Sequence, residues 1–247
     1  MPMFIPGFHA VCQSIPAGPE KIQEVWVVEG KASGRLREVT ALARRFGIPV
    51  RYKTRSDLNE LLPGVSHQGF VVIAKDFEYV NLEQALDEVG VGERQPFFVA
   101  ADHITDEGNL ASIIRTAAFF GASGLIIPKD RSAKASPKVL KRAVGCHLYL
   151  SVSRVVNLGR ALDFLSERGY WIIGATGEAA ESIYRFDWNR PLVLVVGNEE
   201  KGLSQAVRKK CDALVRIPSV VGVESLNVGV ATGVILSEII RQTVKEE

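Results

Sequence analysis

Glycines and polar residues follow three apolar runs in the second half of the chain, where they could form a ligand site. The three loops are 174–178 (GATGE), 197–202 (GNEEKG) and 221–227 (VGVESLN). Their backbone amides and carbonyls suit an uncharged heterocycle with a small polar tail. Each loop alone could simply reverse the chain, but loops that follow parallel strands meet at one edge of a sheet. Together they predict a small-molecule site.

Two common nucleotide-binding patterns and a cysteine-based metal site are absent from the sequence. The chain contains neither the dinucleotide pattern GxGxxG nor the phosphate-loop pattern GxxxxGK[ST], so we do not expect a nicotinamide enzyme or an NTPase. Cys12, Cys146 and Cys211 lie far apart with no histidine at ligand spacing. We therefore expect no disulfide framework and no metal.

A fourth segment, 102–110 (DHITDEGNL), precedes a helix that carries Arg115. Asn109 is a suitable N-cap for that helix. Arg115 is the only charged residue between Glu107 and Lys129. Either it is half-exposed or it binds an anion, and the residues alone leave both readings open.

Alternating strands and helices would position these loops. Strands are predicted at 97–101, 125–127, 171–174, 192–196 and 213–217, and helices at 111–120, 137–143, 158–168 and 205–210. This alternation predicts an α/β fold with a parallel sheet and helices on both faces.

No apolar run reaches the roughly 18–20 residues of a membrane span, and the N-terminus lacks the basic region of a signal peptide. We expect a cytoplasmic protein.

The first part of the chain is predicted to be a separate small α/β domain. Strands are predicted at 24–28, 49–52 and 70–74, a helix at 36–46, and a short helix at 81–89. The stretch around 90–96 is rich in glycine and polar residues. We place the first domain at 1–75, a linker at 76–95 and the second domain at 96–247.

The net charge is only +2, but the basic residues are concentrated in two clusters. The first has eight cations and one acid between Lys31 and Arg55; the second runs from Lys129 to Arg142. Basic surfaces of this kind attract RNA phosphates, although a solvated helix face would look the same. The candidate RNA-binding residues are Arg35, Arg37, Arg44, Arg45, Lys129, Arg131 and Lys134.

The last predicted helix, from Leu226 to about Gln242, is apolar around nearly its whole circumference. Such a helix is buried in a core or in a subunit interface. We favour a homodimer, with internal burial as the alternative.

Three of these segments resemble the motifs of the SpoU (TrmH-like) RNA 2′-O-ribose methyltransferases. They are Asn109 to Arg115, the strand and loop 194–203, and 217–228, in family order. The first domain looks like the L30e-like RNA-binding domain of the RlmB-type branch, which methylates a guanosine of 23S rRNA; His67-Gln68-Gly69 carries that likeness.

The resemblance implies a C-terminal trefoil knot of the SPOUT type that binds S-adenosylmethionine, and RNA, most specifically 23S rRNA, as substrate. The cofactor would contact Thr176, Gly177, Gly197, Ile217 and Leu226. Catalysis would involve Asn109, Arg115, Glu199, Ser225 and Asn227, with Arg115 at the target ribose, reaching across a dimer interface in one version of the hypothesis. Because arginine is a poor base, we interpret Arg115 as positioning the phosphate or polarising the ribose hydroxyl, and we leave base action open as an alternative.

Four residues depart from the family pattern. Glu107 replaces a proline, Ala111 a glycine and Gly229 a serine, while Val221 stands where glycine is usual and Gly222 follows it. These departures leave two alternatives open. One is a methyltransferase acting on tRNA or on another rRNA site, and the other is a knotted RNA-binding protein without catalysis, such as a ribosome-assembly factor.

Overall fold

The computed structural model describes residues 2–30, 33–90, 95–143, 145–221 and 225–244. Lys31, residues 91–94 of the predicted linker, and Gly222 and Glu224 of the third motif lie outside the described residues. The chain folds into two compact units. One is Met1–Glu78 with Val144–Tyr149, and the other is Tyr79–Ala143 with Leu150–Glu247.

The first unit is a four-stranded sheet with three helices. Its elements are β1 (Met3–Pro6), α1 (Phe8–Ala17), β2 (Ile22–Val28), α2 (Gly34–Arg45), β3 (Val50–Lys53), α3 (Arg55–Leu61) and β4 (Phe70–Ala74). The strand order is β1-β4-β2-β3, with β2 and β3 parallel and the other pairs antiparallel. The strand β3 therefore forms one edge of this sheet.

A later piece of chain completes the core of the first unit. The short 3₁₀ helix Cys146–Tyr149 belongs to this unit, and its Leu148 is buried in the same cluster as Phe8, Val11 and Ile15 of α1. The Tyr149 hydroxyl donates a hydrogen bond to the carbonyl of Gln13.

The second unit is a seven-stranded sheet in which every pairing is parallel. The strand order is β7-β6-β5-β10-β8-β11-β9. Its elements are α4 (Leu82–Asp87), β5 (Phe97–Asp102), α5 (Glu107–Phe119), β6 (Gly124–Pro128), α6 (Pro137–Arg142), β7 (Ser151–Val155), α7 (Leu158–Ser166), β8 (Trp171–Ala175), β9 (Glu181–Ser182), β10 (Leu192–Gly197), α8 (Gln205–Arg208), β11 (Ala213–Arg216) and α9 (Val228–Thr243).

The helices cover both faces of this sheet. Phe98 and Ala100 of β5 are buried with α4 and α7. Successive strand residues alternate between faces, and α5 and α9 pack together and contact β6 and β10. The predicted parallel α/β architecture is confirmed, whereas the trefoil knot stays a prediction. Within the described residues, no helix is both long and apolar enough to span a membrane.

The last helix differs from its prediction in two ways. It begins at Val228, with Asn227 as its N-cap, so Leu226 lies in the preceding loop. Burial is confined to part of its circumference: Ile235 and Leu236 are buried, while Val230 is 54% exposed. Complete internal burial, the alternative to a homodimer, is therefore wrong, because one side packs on α5 while Val230 on another side is exposed; the homodimer stays a prediction.

Candidate active site

The loop after β10 is a tight turn that only glycine permits at its first position. The backbones of Asn198 and Gly202 exchange hydrogen bonds of 3.0 and 2.8 Å, which closes the turn. The Asn198 side-chain oxygen accepts hydrogen bonds from the backbone N–H groups of Glu200 and Lys201. A Cβ on Gly197 would lie 2.3 Å from the backbone carbon of Gly202. This turn presents Glu199 beside the sheet edge.

A buried carboxylate at the end of β5 anchors that turn. Asp102 is 1% exposed and accepts two hydrogen bonds of 2.6 Å, from the backbone N–H of Ser204 and, as the pairing requires, from the Nδ1–H of His103. The His103 carbonyl accepts a hydrogen bond of 3.0 Å from the side chain of Asn198. Neither Asp102 nor Asn198 was predicted from the sequence as a positioning residue. A polar residue that ends a buried apolar strand was the available signal.

A cavity of about 280 Å³ opens where β8, β10 and β11 end. Its lining residues are Ala175, Thr176, Gly177, Val196, Gly197, Asn198, Glu199, Gly202, Val215, Arg216, Ile217, Pro218, Ser219, Ser225, Leu226, Val228, Ala231 and Ile235. All five residues predicted to contact a cofactor are among them, together with Glu199 and Ser225. The structure therefore brings the three glycine-containing loops together around one cavity.

Three predicted catalytic residues form a chain of hydrogen bonds beside this cavity. Asn227 donates to the side-chain oxygen of Asn109 over 2.8 Å, and the Asn109 amide donates to Glu199. The prediction of Asn109 as the helix N-cap is wrong. Asp106 is the cap of α5 and accepts from the Asn109 backbone N–H. The Asn109 side chain, in the first motif, is therefore available to bond to Asn227 of the third motif and Glu199 of the second.

Arg115 lies apart from this group. It is exposed on α5, and it is absent from the cavity lining. No hydrogen bond or ion pair joins its guanidinium to another residue in the part of the chain that the structure describes. Of the five predicted catalytic residues, Arg115 is the one that neither belongs to the hydrogen-bonded chain nor lines the cavity.

The predicted RNA-binding residues are exposed in both units. Lys129, Arg131 and Lys134 occupy the loop after β6, on the sheet edge where the other strands also end. This loop is tied to the loop after β5, since the Ala133 N–H donates to the Ile104 carbonyl over 2.7 Å. In the first unit, all four predicted arginines of α2 are exposed.

Two departures from the family pattern have structural explanations. Glu107 forms an ion pair of 2.9 Å with Lys138, and hydrogen bonding to that lysine lowers the pKa of the Glu107 carboxyl. It thereby joins α5 to α6. At Gly229, a Cβ would lie 2.4 Å from the Ser112 hydroxyl, so a serine there could not face Ser112 without displacing it.

The other two departures differ in burial. Ala111 is 3% exposed and fits in the core, while Val221 is 69% exposed in the loop that leads to the cavity residues Ser225 and Leu226. Over the described ranges, no group of three histidine, cysteine or acidic side chains is placed to hold a metal ion.

Comparison with protein-family models identifies the chain. Residues 96–237 match the model of the SpoU rRNA Methylase family, and residues 4–80 match the model for RNA 2′-O ribose methyltransferase substrate binding. The chain belongs to the SpoU rRNA methylase family. It is an RNA 2′-O-ribose methyltransferase by that membership.

Relatives of similar length support this assignment. The chain is 39% identical, over 96% of its length and 95% of the relative's, to the 23S rRNA (guanosine-2′-O-)-methyltransferase RlmB of Pseudomonas aeruginosa. It is 36% identical, over 97% and 95% of the two lengths, to the putative TrmH family tRNA/rRNA methyltransferase YacO of Bacillus subtilis.

Solved structures of methyltransferases share the fold. The enzyme AviRb from Streptomyces viridochromogenes, in complex with the cofactor AdoMet, is 26% identical, with a TM-score of 0.74 over 98% of this chain and 90% of that one. An AdoMet-bound rRNA methyltransferase from Sinorhizobium meliloti is 25% identical, also with a TM-score of 0.74, over 99% and 88% of the two chains.

Proposed function

We propose that this SpoU family member transfers a methyl group from S-adenosylmethionine to the 2′-oxygen of a guanosine ribose in 23S rRNA, in the cytoplasm. The observation that carries the proposal is the meeting of all three family motifs at one cavity, with Asn109 hydrogen-bonded to residues of the other two. The choice of 23S rRNA rests on the RlmB relatives.

The cavity suits S-adenosylmethionine in the character of its lining. Its volume of about 280 Å³ is just below the roughly 300 Å³ at which small-molecule sites begin. Val196, Val215 and Ile235 supply apolar surface for a heterocycle. Loop backbone at Gly177 and Gly197 supplies polar groups for the rest of the molecule, and the absence of a Cβ at Gly197 lets the turn close against it. We assign Thr176, Gly177, Gly197, Ile217 and Leu226 to this cofactor.

When bound, S-adenosylmethionine would supply the methyl group on its sulfonium sulfur: transfer to the ribose 2′-oxygen would break the S–CH3 bond, leave S-adenosylhomocysteine and release the hydroxyl proton. Much of the rate in such a reaction comes from holding the reacting atoms in line. Asn109 cannot rotate freely, because its oxygen accepts from Asn227 and its amide donates to Glu199. We assign these three residues and Ser225 to the wall of the acceptor pocket, with Arg115 placing the ribose or an adjacent phosphate. Recognition of a 2′-hydroxyl selects RNA over DNA.

The positive surface of the second unit would guide the RNA to this pocket. Lys129, Arg131 and Lys134 are exposed, and their loop is bonded to the loop that leads into α5. Lys138 of the same basic cluster is paired with Glu107 and contributes less net charge. We assign to phosphate binding the three exposed cations, which form no ion pair with another residue that the structure describes.

A homodimer through α9 is also part of the proposal. Val230 and Val234 of α9 line an open groove with Tyr184, and Val230 and Tyr184 are 54% and 56% exposed. At the end of the neighbouring α5, Phe119 is 81% exposed. Burial of this surface by a second copy would place an Arg115 from one subunit near the other subunit.

The test is methyl transfer from labelled S-adenosylmethionine to RNA without its native modifications, separated into 23S, 16S and tRNA. We expect label in 23S rRNA at a guanosine ribose, and loss of labelling in Arg115→Ala. The matched control is Arg160→Ala, which removes an exposed arginine from α7 and should behave as the wild type.

Three results would contradict parts of the proposal. Label only in tRNA would overturn the substrate, and no label with RNA still bound would favour a binding protein without catalysis. Full turnover by Arg115→Ala would remove Arg115 from the mechanism.

A further inference from the structure

The loop that joins β6 to α6, residues 129–136, carries three exposed cations. They are Lys129, Arg131 and Lys134, which the proposed function assigns to phosphate binding. A loop loses conformational freedom when it binds a ligand, and this loss weakens the binding. Contacts that hold the loop in the free protein would therefore strengthen RNA binding without touching the RNA.

Arg154 of β7 holds the first residue of this loop. Its Nη2 donates a hydrogen bond of 2.6 Å to the Lys129 carbonyl, and the Lys129 N–H donates to the Val155 carbonyl over 2.7 Å. Both backbone groups of Lys129 are thus bonded to β7. Among the described residues, no carboxylate forms an ion pair with Arg154, so the position of its guanidinium depends on neighbours without charge.

Tyr79 contacts both this arginine and the far end of the loop. The Arg154 guanidinium carbon lies 5.6 Å from the centroid of the Tyr79 ring, within the distance at which a cation is attracted to an aromatic face. The Tyr79 hydroxyl oxygen accepts a hydrogen bond of 2.9 Å from the Ala135 N–H. Tyr79 is itself tied to β7, because the next residue, Val80, donates its N–H to the Val152 carbonyl over 2.9 Å. The loop is therefore held near both of its ends.

The conformation of Arg131 shows why the loop needs this support. Its φ is +52°, in the left-handed region that residues other than glycine rarely adopt. Such a conformation persists only where the surrounding structure imposes it. On one side of Arg131 the backbone of Lys129 is fixed, and on the other the Ala133 N–H donates to the Ile104 carbonyl over 2.7 Å. The Arg131 side chain between these two positions is exposed.

We propose that Arg154 and Tyr79 are positioning residues for the RNA substrate. They hold loop 129–136 in the conformation in which its cations bind phosphates, and they do not contact the RNA themselves. Binding then costs less conformational freedom than it would with a free loop. This inference rests on the proposed function and extends it, because it names the groups that order the phosphate-binding cations.

The experiment measures the affinity of the full-length protein for unmodified 23S rRNA by filter binding, without cofactor. Arg154→Lys keeps the positive charge but loses the planar guanidinium, and Tyr79→Phe keeps the ring but loses the hydroxyl acceptor. We expect each variant to bind RNA about fivefold more weakly. The KM for RNA in methyl transfer should rise by a similar factor, while kcat stays within about twofold of the wild type.

The matched control is Arg168→Lys. Arg168 also donates to a backbone carbonyl, that of Phe164, over 3.1 Å, and its guanidinium carbon lies 3.4 Å from the centroid of the Phe164 ring. It follows α7, and its substitution should leave RNA affinity unchanged. Trypsin reports on the loop itself, because it cleaves after lysine and arginine. Without RNA, we expect faster cleavage after Arg131 and Lys134 in Arg154→Lys and Tyr79→Phe, but not in the control.

A second background separates positioning from direct binding. In this background Lys129, Arg131 and Lys134 are replaced together by alanine. Because the two positioning residues act through these cations, Arg154→Lys and Tyr79→Phe should weaken RNA binding by less than about 1.5-fold there. A residue that contacted RNA directly would weaken binding equally in both backgrounds.

Two results would overturn the inference. One is wild-type RNA affinity in both Arg154→Lys and Tyr79→Phe. The other is an equal loss of affinity in the two backgrounds, with thermal unfolding showing whether an RNA contact or the fold was lost. Failure of the proposed function would look different: the triple alanine variant would bind RNA like the wild type, or the wild type would transfer no methyl group. Cleavage by trypsin would then still show whether Arg154 and Tyr79 hold the loop.

Discussion

At the scale of single residues, Gly197 is the position where the turn tolerates least change. A Cβ there would lie 2.5 Å from both the Gly202 carbonyl oxygen and the Leu203 nitrogen, and these are backbone atoms that cannot rotate away. We predict that Gly197→Ala opens the turn, displaces Glu199 and weakens S-adenosylmethionine binding by more than about tenfold. Isothermal titration calorimetry measures this directly.

A matched substitution separates this steric effect from a general loss of glycine. Gly90 lies in the same unit, and a Cβ there would meet no atom within 4 Å. Gly90→Ala should therefore bind the cofactor like the wild type. Cofactor affinity of Gly197→Ala equal to that of Gly90→Ala would show that the turn is not part of the binding site.

The sequence was informative about residues that act through loop backbone. Glycine-containing loops at the ends of predicted strands indicated a site, and the resemblance to the family motifs assigned Gly197, Ile217 and Leu226 to it. The structure places all three at the cavity. It was less informative about side-chain partners. Asn109 has good capping chemistry, but Asp106 three residues earlier has it too and takes the cap. Only the fold shows that Asn109 faces Glu199, ninety positions along the chain.

At the scale of elements, the 3₁₀ helix Cys146–Tyr149 makes the first unit sensitive to acid. His147 is 4% exposed, its ring meets Phe77 edge-on, and neither ring nitrogen has a hydrogen-bond partner among the described residues. Burial, with a smaller contribution from Lys21, lowers the pKa of His147 from 6.5 to about 4. Below pH 6.5 the unfolded chain therefore binds a proton that the folded chain does not.

Stability is consequently lost as the pH falls from 6.5 towards 4. The difference between the two pKa values corresponds to roughly 3 kcal/mol of unfolding free energy. We predict that His147→Leu removes most of this loss, since leucine has no charge to bury. Urea unfolding between pH 7.5 and pH 4.5 measures it, with His9→Leu, at an exposed histidine, as the control. An equally steep loss in His147→Leu and the wild type would disprove the assignment.

Elements with a clear apolar pattern were predictable, and the exceptions are short or lack that pattern. The strand β4 has the predicted bounds, because five apolar residues in succession are buried on both faces. The strand β7 has serine or arginine at three of its five positions and was missed, as were β1, α1 and α3. The helix α1 contains no aspartate, glutamate, lysine or arginine and has Pro16 in its last turn, so its pattern did not resemble a surface helix.

At the scale of the whole molecule, the composition along the chain could predict two units but not which residues belong to each of them. Residues 144–149 lie far beyond the glycine-rich stretch near residue 90, yet Leu148 is buried with residues of the first unit. These residues belong to the first unit because they contact α1 in three dimensions. A segment of six residues is too short to show a periodic apolar pattern from which that contact could be predicted. The exposed side of α9 is similar: the sequence shows an apolar helix, but only the structure shows which side the chain itself leaves open.

The proposed dimer can be tested together with the position of Arg115. If α9 pairs two subunits and Arg115 acts on the partner's cofactor site, two inactive variants can restore each other. Arg115→Ala keeps an intact cavity, and Gly197→Ala keeps its arginine. In a mixed dimer, one of the two sites then has both. Random mixing makes about half of the dimers mixed, so we predict about a quarter of wild-type methyl transfer after the variants are unfolded and refolded together.

Each variant refolded alone should remain inactive, and light scattering should show dimers in every sample. Val230→Asp provides the control for the interface, because a carboxylate at this 54% exposed position is harmless in a single chain but unfavourable inside an apolar interface. It should yield monomers that do not complement. Dimers without recovered activity would indicate that Arg115 acts at the cofactor site of its own subunit. Wild-type protein that is monomeric at micromolar concentration would contradict the dimer itself.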